Sequence, residues 1–333
     1  GRKKVFAFVE KDVPQKLQDE RMPKDNVHRG KWDTDKLLDR DLDLEEMLDF
    51  GITNKHGNFK MKIPLTSPVQ YPTKMFKVDP YVLGCFLGDG TFSDKASSVN
   101  LSSHIEDKEI IHNVLTILTE NYGMVFRDRS RSTSEKGIQC LLSPSTKSGG
   151  GCFNQNPFTK DMRDLGLQGS KFIPEEYFYG DVSQRLLLLR GLMDTDGSCC
   201  KNRTSFSNTN RNLVDGVKRL VQSLGGTAIE GKPNFRDEGN RKTVYHLNVK
   251  MFDNPFSLKR KADQWKPSKK NPPSRYITDI KKLDYQEEQM CIKVEAGDHL
   301  YLTDEYIVTH NTCTQVVMAH NNDKKSLYLT FSK

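Results

Sequence analysis

The stretch VLGCFLGDG (residues 82–90) decides the fold of this chain, because a second version of it, LRGLMDTDG, occupies residues 189–197. Each version has a small residue at its third place, another at its seventh place, and then Asp-Gly, so Asp89 and Asp196 correspond. The apolar character of both stretches predicts a buried helix in each case. Small residues four places apart let two helix backbones approach closely, so the two helices are expected to pair side by side.

The sequence that follows each of these helices also repeats. A short strand comes first (residues 98–103 and 204–209), then a helix with one apolar face, then two further strands (124–130 and 137–143; 227–232 and 243–249). The two helices with an apolar face are expected to end near Gly123 and at Gly225. Asn-Pro-Phe recurs at residues 156–158 and 254–256. This order indicates an internal duplication into two α/β halves built alike.

Side-by-side pairing of the two motif helices would bring their C-terminal ends, and therefore Asp89 and Asp196, close together. The glycine after each aspartate is expected to end its helix in a left-handed conformation. Two carboxylates at the negative ends of helices repel each other, so a divalent cation is the natural compensation. Oxygen ligands favour Mg²⁺, which takes phosphate oxygens among its remaining ligands. The motif therefore predicts metal-assisted cleavage of a phosphodiester.

The two motifs, the duplication and the order of elements over roughly residues 76–275 resemble the LAGLIDADG (DOD-type) homing endonucleases. The resemblance implies an α+β fold, a pseudo-twofold duplicated αββαββα unit with halves at about 76–180 and 181–275. Each half would form a four-stranded antiparallel saddle on the major groove of double-stranded DNA. It also implies a monomer that cuts the host gene where the insert is missing, with Asp89 and Asp196 coordinating catalytic Mg²⁺.

Further site residues follow from the same resemblance. The stretch LGLQGSKFIPEEYF (165–178) is similar to the family's block that supplies a catalytic lysine, which would be Lys171. The matching lysine of the second half stays open among Lys242, Lys250 and Lys261. Basic side chains on or beside the predicted strands are the candidates for contacts to DNA. These are Arg127, Arg129, Arg131, Arg203 and Arg241.

The segment CIKVEAGDHLYLTDEYIVTHNTC (291–313) resembles the C-terminal blocks of an intein. The resemblance implies that the endonuclease is inserted in an all-β Hint splicing domain, with residues 1–75 as its N-terminal remnant and linker and 276–311 as its C-terminal half. The Asn311 side chain would attack its own carbonyl and break the bond to Thr312. His310 and His299 would serve as acid–base groups, Thr312 as the acyl acceptor, and Cys291 would replace the aspartate of many inteins.

The two ends of the chain carry further expectations. Residue 1 is glycine, and no Thr-x-x-His block precedes the endonuclease. The stretch DNVH (25–28) is at best a degenerate form of that block. We therefore expect that the N-terminal splicing half is truncated or supplied by another chain, so that splicing in cis does not occur while cleavage at Asn311 does. Residues 312–333 resemble the start of a P-loop superfamily 1 DNA helicase, with any α/β ATPase as the alternative host.

Composition limits the class of protein. The 333 residues include 51 basic and 44 acidic side chains, a formal charge of +7, which suits a nucleic-acid partner. Seven cysteines without a Cys-x-x-Cys pair predict a reduced, intracellular protein, in the cytoplasm or nucleoid, with a phage or virus as a further possible source. Because no apolar run approaches 18 residues, we expect no membrane role. Two alternatives stay open: an endonuclease that has decayed to DNA binding alone, and a free-standing endonuclease or maturase without splicing.

Overall fold

A computed structural model describes residues 5–9, 38–42, 44–63, 65–92, 99–128, 137–144, 156–167, 169–200, 203–233, 242–267, 273–281, 294–295 and 300–310. The chain divides into two compact units. The terminal unit combines Gly1–Thr66 with Lys269–Lys333, and the central unit is Ser67–Ser268. In sequence, the central unit is therefore inserted between the two segments of the terminal unit.

The elements are numbered in chain order. The strands are β1 (Val5–Val9), β2 (Leu38–Leu42), β3 (Met61–Ile63), β4 (Gly90–Phe92), β5 (Val99–His104), β6 (Met124–Asp128), β7 (Gly137–Pro144), β8 (Gly197–Cys200), β9 (Arg203–Asn208), β10 (Thr227–Glu230), β11 (Tyr245–Lys250), β12 (Arg275–Tyr276), β13 (Leu300–Leu302) and β14 (Val308–His310). The helices are α1 (Leu44–Phe50), α2 (Pro80–Asp89), α3 (Lys108–Tyr122), α4 (Pro157–Asp164), α5 (Val182–Asp196), α6 (Arg211–Ser223) and α7 (Lys259–Ala262). Within the described ranges, no helix has the length and apolar character that crossing a bilayer requires.

The terminal unit consists mainly of strands in its described part. Four of them form an antiparallel sheet in the order β12-β3-β1-β2, and β13 pairs with β14 in a separate hairpin. Helix α1 packs Met47 against Met61 and Ile63 of β3 and against Ile277, which form a small buried cluster. Leu65 is bridged to Ile307, so residues from both sequence segments meet in this unit.

The central unit contains the same arrangement twice. Elements α2-β4-β5-α3-β6-β7-α4 make the first half and α5-β8-β9-α6-β10-β11-α7 the second. The sheets have equivalent antiparallel orders, β4-β5-β7-β6 and β8-β9-β11-β10. The predicted duplication and the αββαββα order are confirmed. The strands β4 and β8 had no sequence pattern of their own and were implied only by the family resemblance.

Local sequence signals start both motif helices. Helix α2 begins with Pro80 after Asp79, whose side chain accepts from the backbone N–H of Val82 at 3.1 Å. Helix α5 begins with a capping box, in which Asp181 accepts from the N–H of Gln184 at 2.9 Å and Gln184 accepts from the N–H of Asp181 at 3.1 Å. Eight of the ten residues of α2 are buried, as expected for a helix with apolar residues on every side.

The two motif helices touch through backbone at their glycines. A Cβ placed on Gly84 would lie 2.9 Å from the Leu192 nitrogen and 3.0 Å from the Gly191 Cα. A Cβ on Gly191 would lie 2.8 Å from the Cys85 nitrogen and 3.0 Å from the Gly84 Cα. One turn further on, Gly88 faces Thr195, so the contacts advance in the same direction along both helices. The predicted close, side-by-side pairing is confirmed.

The conformation predicted for the glycine after each aspartate is wrong. Gly90 (φ −78°, ψ 151°) and Gly197 (φ −87°, ψ 157°) are extended, because each is already the first residue of a strand. The chain reverses so sharply there that a Cβ on Gly90 would lie 2.6 Å from the Phe86 Cα, and one on Gly197 2.8 Å from the Met193 Cα. Glycine is needed for space rather than for a left-handed φ. By contrast, α3 ends before Gly123 (φ 59°), as predicted.

Candidate functional site

The two motif aspartates lie together where α2 and α5 end. Asp89 and Asp196 are the last residues of their helices, and both are half-buried. A Cβ on Gly88, next to Asp89, would lie 3.3 Å from Oδ2 of Asp196, so this carboxylate sits against the backbone of the first motif. The structure therefore brings together the two side chains that the sequence predicted as metal ligands.

The carboxylates are held in an environment that disfavours their charge. Burial raises the pKa of Asp196 to about 6, and repulsion from Asp89 adds to the rise. Burial likewise raises the pKa of Asp89, and the charges of Lys171 and Lys261 oppose it. Half-buried like charges at two helix ends form a site where a cation would relieve both the repulsion and the unfavourable helix dipoles.

The oxygen donors fit a magnesium ion. Within the described ranges, no cluster of three or more His, Cys, Asp or Glu side chains could hold a metal on its own. Mg²⁺ is commonly held by one or two carboxylates, with water and substrate phosphate oxygens completing its coordination. Two adjacent carboxylates therefore match a divalent metal that is shared with a phosphate substrate.

Asn208 is a site residue that sequence reasoning missed. Its side-chain amide donates to Oδ2 of Asp196 at 2.8 Å and lowers the pKa of that carboxyl, against the effect of burial. The residue ends strand β9, twelve positions after Asp196, and only the β8–β9 hairpin brings the two together. An asparagine at the end of a predicted strand is the one signal that could have suggested it.

Lys171 reaches the end of the first motif helix. Its Nζ donates to the carbonyl oxygen of Gly88 at 2.5 Å, and its own carbonyl accepts from Asn210 Nδ2 at 2.6 Å. Burial lowers the pKa of Lys171, while the charges of Asp196 and Asp89 act in the opposite direction. The predicted catalytic lysine thus lies beside the two aspartates.

Of the three lysines left open for the second half, the structure places Lys261 at the end of a motif helix. Its buried Nζ donates to the carbonyl oxygens of Met193 (3.1 Å), Asp194 (2.5 Å) and Gly197 (2.7 Å). Lys242 and Lys250 are exposed instead, before strand β11 and at its end. Burial lowers the pKa of Lys261, and the charge of Asp194 opposes this shift most strongly.

Asp194 was not predicted as a site residue. It is buried, and its carboxylate accepts from Tyr81 Oη at 3.0 Å and from the backbone N–H groups of Ser257 (3.1 Å) and Leu258 (3.0 Å). Burial raises its pKa to about 6, in spite of these hydrogen bonds. The sequence held a signal for it: the sixth place of the motif is Asp194 in the second version and Leu87 in the first.

The predicted DNA contacts fall partly within the described residues. Arg203 is exposed at the start of β9 and pairs with Cys200, and Arg127 lies in β6 opposite Leu141. Arg129, Arg131 and Arg241 lie outside the described residues. In the second sheet, Leu247 and Val249 face the core, while the alternate positions Asn248 and Lys250 are exposed. This exposed sheet face thus carries Asn248 and the cationic Lys250, together with the exposed Ile229 opposite Asn248.

The predicted splicing residues fall mostly outside the described part of the chain. Cys291, His299, Asn311 and Thr312 lie outside the described residues. His310 is the last residue of β14 and pairs with Leu300, the residue that follows His299 in sequence.

Comparisons with known proteins agree with this picture. Residues 183–252 match the family model of the LAGLIDADG-like domain. The chain is 29% identical over 248 residues to the replicative DNA helicase DnaB of Mycobacterium intracellulare, across 72% of this chain and 36% of the helicase. It thus spans about a third of that relative. The relative is a DNA helicase and the matching family model is LAGLIDADG-like, so both findings bear out the recognition of a LAGLIDADG endonuclease with a helicase-like part, without assigning the helicase superfamily.

Solved structures show weaker likeness. A complex of the homing endonuclease I-DmoI with DNA and Ca is 14% identical, with a TM-score of 0.38 over 56% of this chain and 95% of that one. Full-length DUF199/WhiA from Thermatoga maritima is 11% identical, with a TM-score of 0.37 over 57% and 60% of the two chains. The family match itself contains α5 from Ser183 onward, Asp196 and the second sheet. Residues 183–252 are therefore similar to the LAGLIDADG-like domain family.

Proposed function

We propose that the central unit is a site-specific homing endonuclease that hydrolyses phosphodiester bonds in both strands of a DNA duplex with Mg²⁺. The observation that carries the proposal is the meeting of Asp89 and Asp196 at the paired ends of α2 and α5. A bound Mg²⁺ would polarise the scissile phosphate and lower the pKa of a coordinated water. The preferred target is the host gene at the position where the insert is missing.

The residues of the chain have separate tasks in this proposal. Asp89 and Asp196 hold the ion, and the amide of Asn208 fixes the rotation of the Asp196 carboxylate through its 2.8 Å hydrogen bond. The ammonium of Lys171 lies 2.5 Å from the Gly88 carbonyl, next to Asp89, where it can stabilise the charge that develops on a phosphate. The exposed faces of the two sheets supply the DNA contacts, with Arg203 and Lys250 on the second.

The endonuclease is tested with a duplex that carries the uninterrupted host gene. We expect the wild-type protein with Mg²⁺ to linearise a circular substrate at one position, and Asp89→Asn to lose about 10³-fold in rate, since a metal contributes several kcal/mol to the transition state. Asp215→Asn, on the exposed surface of α6, is the matched control. Equal rates for wild type and Asp89→Asn, with retained DNA binding, would favour the decayed endonuclease.

We also propose that the C-terminal segment breaks its own chain after Asn311, as in the splicing of an intein inserted in a helicase-like host. The side-chain nitrogen of Asn311 attacks its main-chain carbonyl carbon, a succinimide closes, and the C–N bond to Thr312 breaks while the departing nitrogen takes up a proton. In this proposal His310 donates that proton. The β13–β14 hairpin, which ends on His310 opposite Leu300, supports this proposal.

Mass spectrometry of the purified chain tests the cleavage. We expect residues 312–333 to be released slowly and Asn311→Ala to abolish the release, because alanine has no side-chain nucleophile. The chain offers a matched control in Asn321→Ala, since Asn321 also follows a histidine, His320. A wild-type chain that keeps its tail under the same conditions would favour a free-standing endonuclease.

A further inference from the structure

The second motif helix, α5, and the last helix of the central unit, α7, are joined by hydrogen bonds in which a side chain of each helix contacts the backbone at the end of the other. The Asp194 side chain, on α5, accepts from the backbone N–H groups of Ser257 and Leu258, which lead into α7. From inside α7, the Nζ of Lys261 donates back to the carbonyl oxygens of Met193, Asp194 and Gly197. We refer to these two side chains and their backbone partners as the Asp194–Lys261 network.

Both sets of hydrogen bonds in the network are electrostatically favourable. A carboxylate is placed at the amide end of α7, and an ammonium is placed at the carbonyl end of α5. Asp194 is 1% exposed and Lys261 is 7% exposed. Each charge opposes the effect of burial on the pKa of the other group, so removing one leaves the other less compensated, in addition to freeing the backbone groups that it bonded. The network is therefore a strong constraint on the geometry of both helices.

The same network reaches the first half of the central unit. Tyr81, on α2, donates its hydroxyl to Asp194 Oδ2 at 3.0 Å. Arg260, the neighbour of Lys261, forms a bidentate pair with Asp107 before α3, with both N–O distances at 2.8 Å. Helix α7 thus connects the end of the second motif helix to the start of the first half's long helix. A substitution of Lys261 is therefore expected to disturb the contacts between the two halves.

The carbonyls that Lys261 contacts lie on both sides of Asp196. Three belong to Met193, Asp194 and Thr195 (3.4 Å), in the last turn of α5, and one belongs to Gly197, the first residue of β8. The three protons of one ammonium are thus shared among four carbonyl oxygens. The first motif has no carboxylate at the equivalent place, which is Leu87, and Lys171 donates there to Gly88.

We propose that Asp194 and Lys261 are positioning residues, which fix the backbone around Asp196 so that its carboxylate faces the metal, and that Lys261 does not contact the scissile phosphate. The inference rests on the proposed function of the central unit. It assigns different roles to the two lysines: Lys171 acts beside the aspartates, whereas Lys261 acts through the backbone of the second motif. Groups that orient a metal ligand typically contribute about 10- to 100-fold in metal affinity or activity.

The test compares Lys261→Met and Asp194→Leu with the control Lys259→Met, an exposed lysine on the same helix that pairs with Asp263. Mn²⁺ alone is titrated into the full chain and followed by electron paramagnetic resonance. DNA affinity in Ca²⁺ and single-turnover cleavage are measured in parallel. We expect both network variants to weaken Mn²⁺ binding and to slow cleavage about tenfold or more, with DNA affinity unchanged within about threefold.

Asp194→Asn provides the conservative comparison, because its amide oxygen still accepts from Ser257 and Leu258. It should retain more Mn²⁺ affinity than Asp194→Leu, and it keeps the test decisive if the other variants fail to fold. Slower cleavage by Lys261→Met with unchanged Mn²⁺ affinity would overturn the inference, since the lysine would then act on the phosphate. A loss of thermal stability alone, with both measurements unchanged, would also overturn it.

The failure of the underlying function has a different signature. If Asp196→Asn leaves Mn²⁺ binding as it is in the wild type, the metal site itself is refuted and the inference falls with it. If Asp196→Asn abolishes Mn²⁺ binding while Lys261→Met and Asp194→Leu do not alter it, the metal site stands and only the positioning role is refuted.

Discussion

Gly84→Ala is expected to lower the free energy of unfolding of the central unit by about 3 kcal/mol or more. The added methyl would lie 2.9 Å from the Leu192 nitrogen and 3.0 Å from the Gly191 Cα. Both atoms belong to backbone, which cannot rotate away as a side chain can, so the motif helices must separate. Alanine favours a helix over glycine by only about 1 kcal/mol, and this gain does not offset the clash. Gly191→Ala should behave in the same way.

Urea denaturation followed by circular dichroism measures this effect. Gly231→Ala is the matched control, because the nearest atom to its added methyl is 3.7 Å away and its φ is not positive. The control should unfold within about 0.5 kcal/mol of the wild type. If Gly84→Ala were as stable as the control, the direct backbone contact between the helices would be wrong, and with it the geometry that joins the two aspartates.

Asp196→Asn is expected to change activity and stability in opposite directions. Cleavage should fall by about 10³-fold, because the variant loses a charged ligand of the metal. In the metal-free protein at pH 8, however, the variant should be more stable by about 2 kcal/mol. The charged carboxylate is unfavourable in the folded state, where burial and Asp89 raise its pKa to about 6 from a model-peptide value of 3.8.

The pH dependence of stability checks the sign of this effect. A raised pKa means that the folded protein binds the proton more tightly than the unfolded chain does. The stabilising contribution is fully present below pH 3.8 and is lost as the pH rises through about 6. The advantage of Asp196→Asn should therefore grow between pH 4 and pH 7 in chelator. Thermal unfolding in EDTA measures it, and a variant that is less stable than wild type at pH 8 would contradict it.

Periodic and repeated features of the central unit could be predicted from the sequence. The motif helices, the helix ending before Gly123 and the duplicated order rest on local spacing, and the structure has them. Strands β4 and β8 could not be read, since each is short and begins on the glycine after the motif aspartate. An Asp-Gly pair fits a left-handed helix end as well as an immediate reversal, and only the packing against Phe86 and Met193 distinguishes them.

The candidate site was predictable only where the two motifs define it. Asp89 and Asp196 follow from the repeat, and the position of Lys171 follows from the resemblance of its block. Lys261 was one of three equal choices, because its contact with Met193 joins residues 68 positions apart. Asn208 and Asp194 were missed, because an asparagine or aspartate carries no sign in the sequence of which backbone or side chain it will meet. Tertiary contacts decide these roles.

The glycine-to-glycine contact of α2 and α5 also bears on how the repeat could have arisen. Neither repeat has a complete hydrophobic core of its own, since the buried stripe of each motif helix is covered by the other motif helix. Two separate repeats would each expose that stripe to water and would have to associate with another repeat to bury it. The peptide that joins them replaces this search by tethering, at an effective concentration of about millimolar. The two repeats are thus equivalent to the subunits of a covalently linked dimer. A substitution in the contact stripe of one repeat requires a compensating substitution in the other.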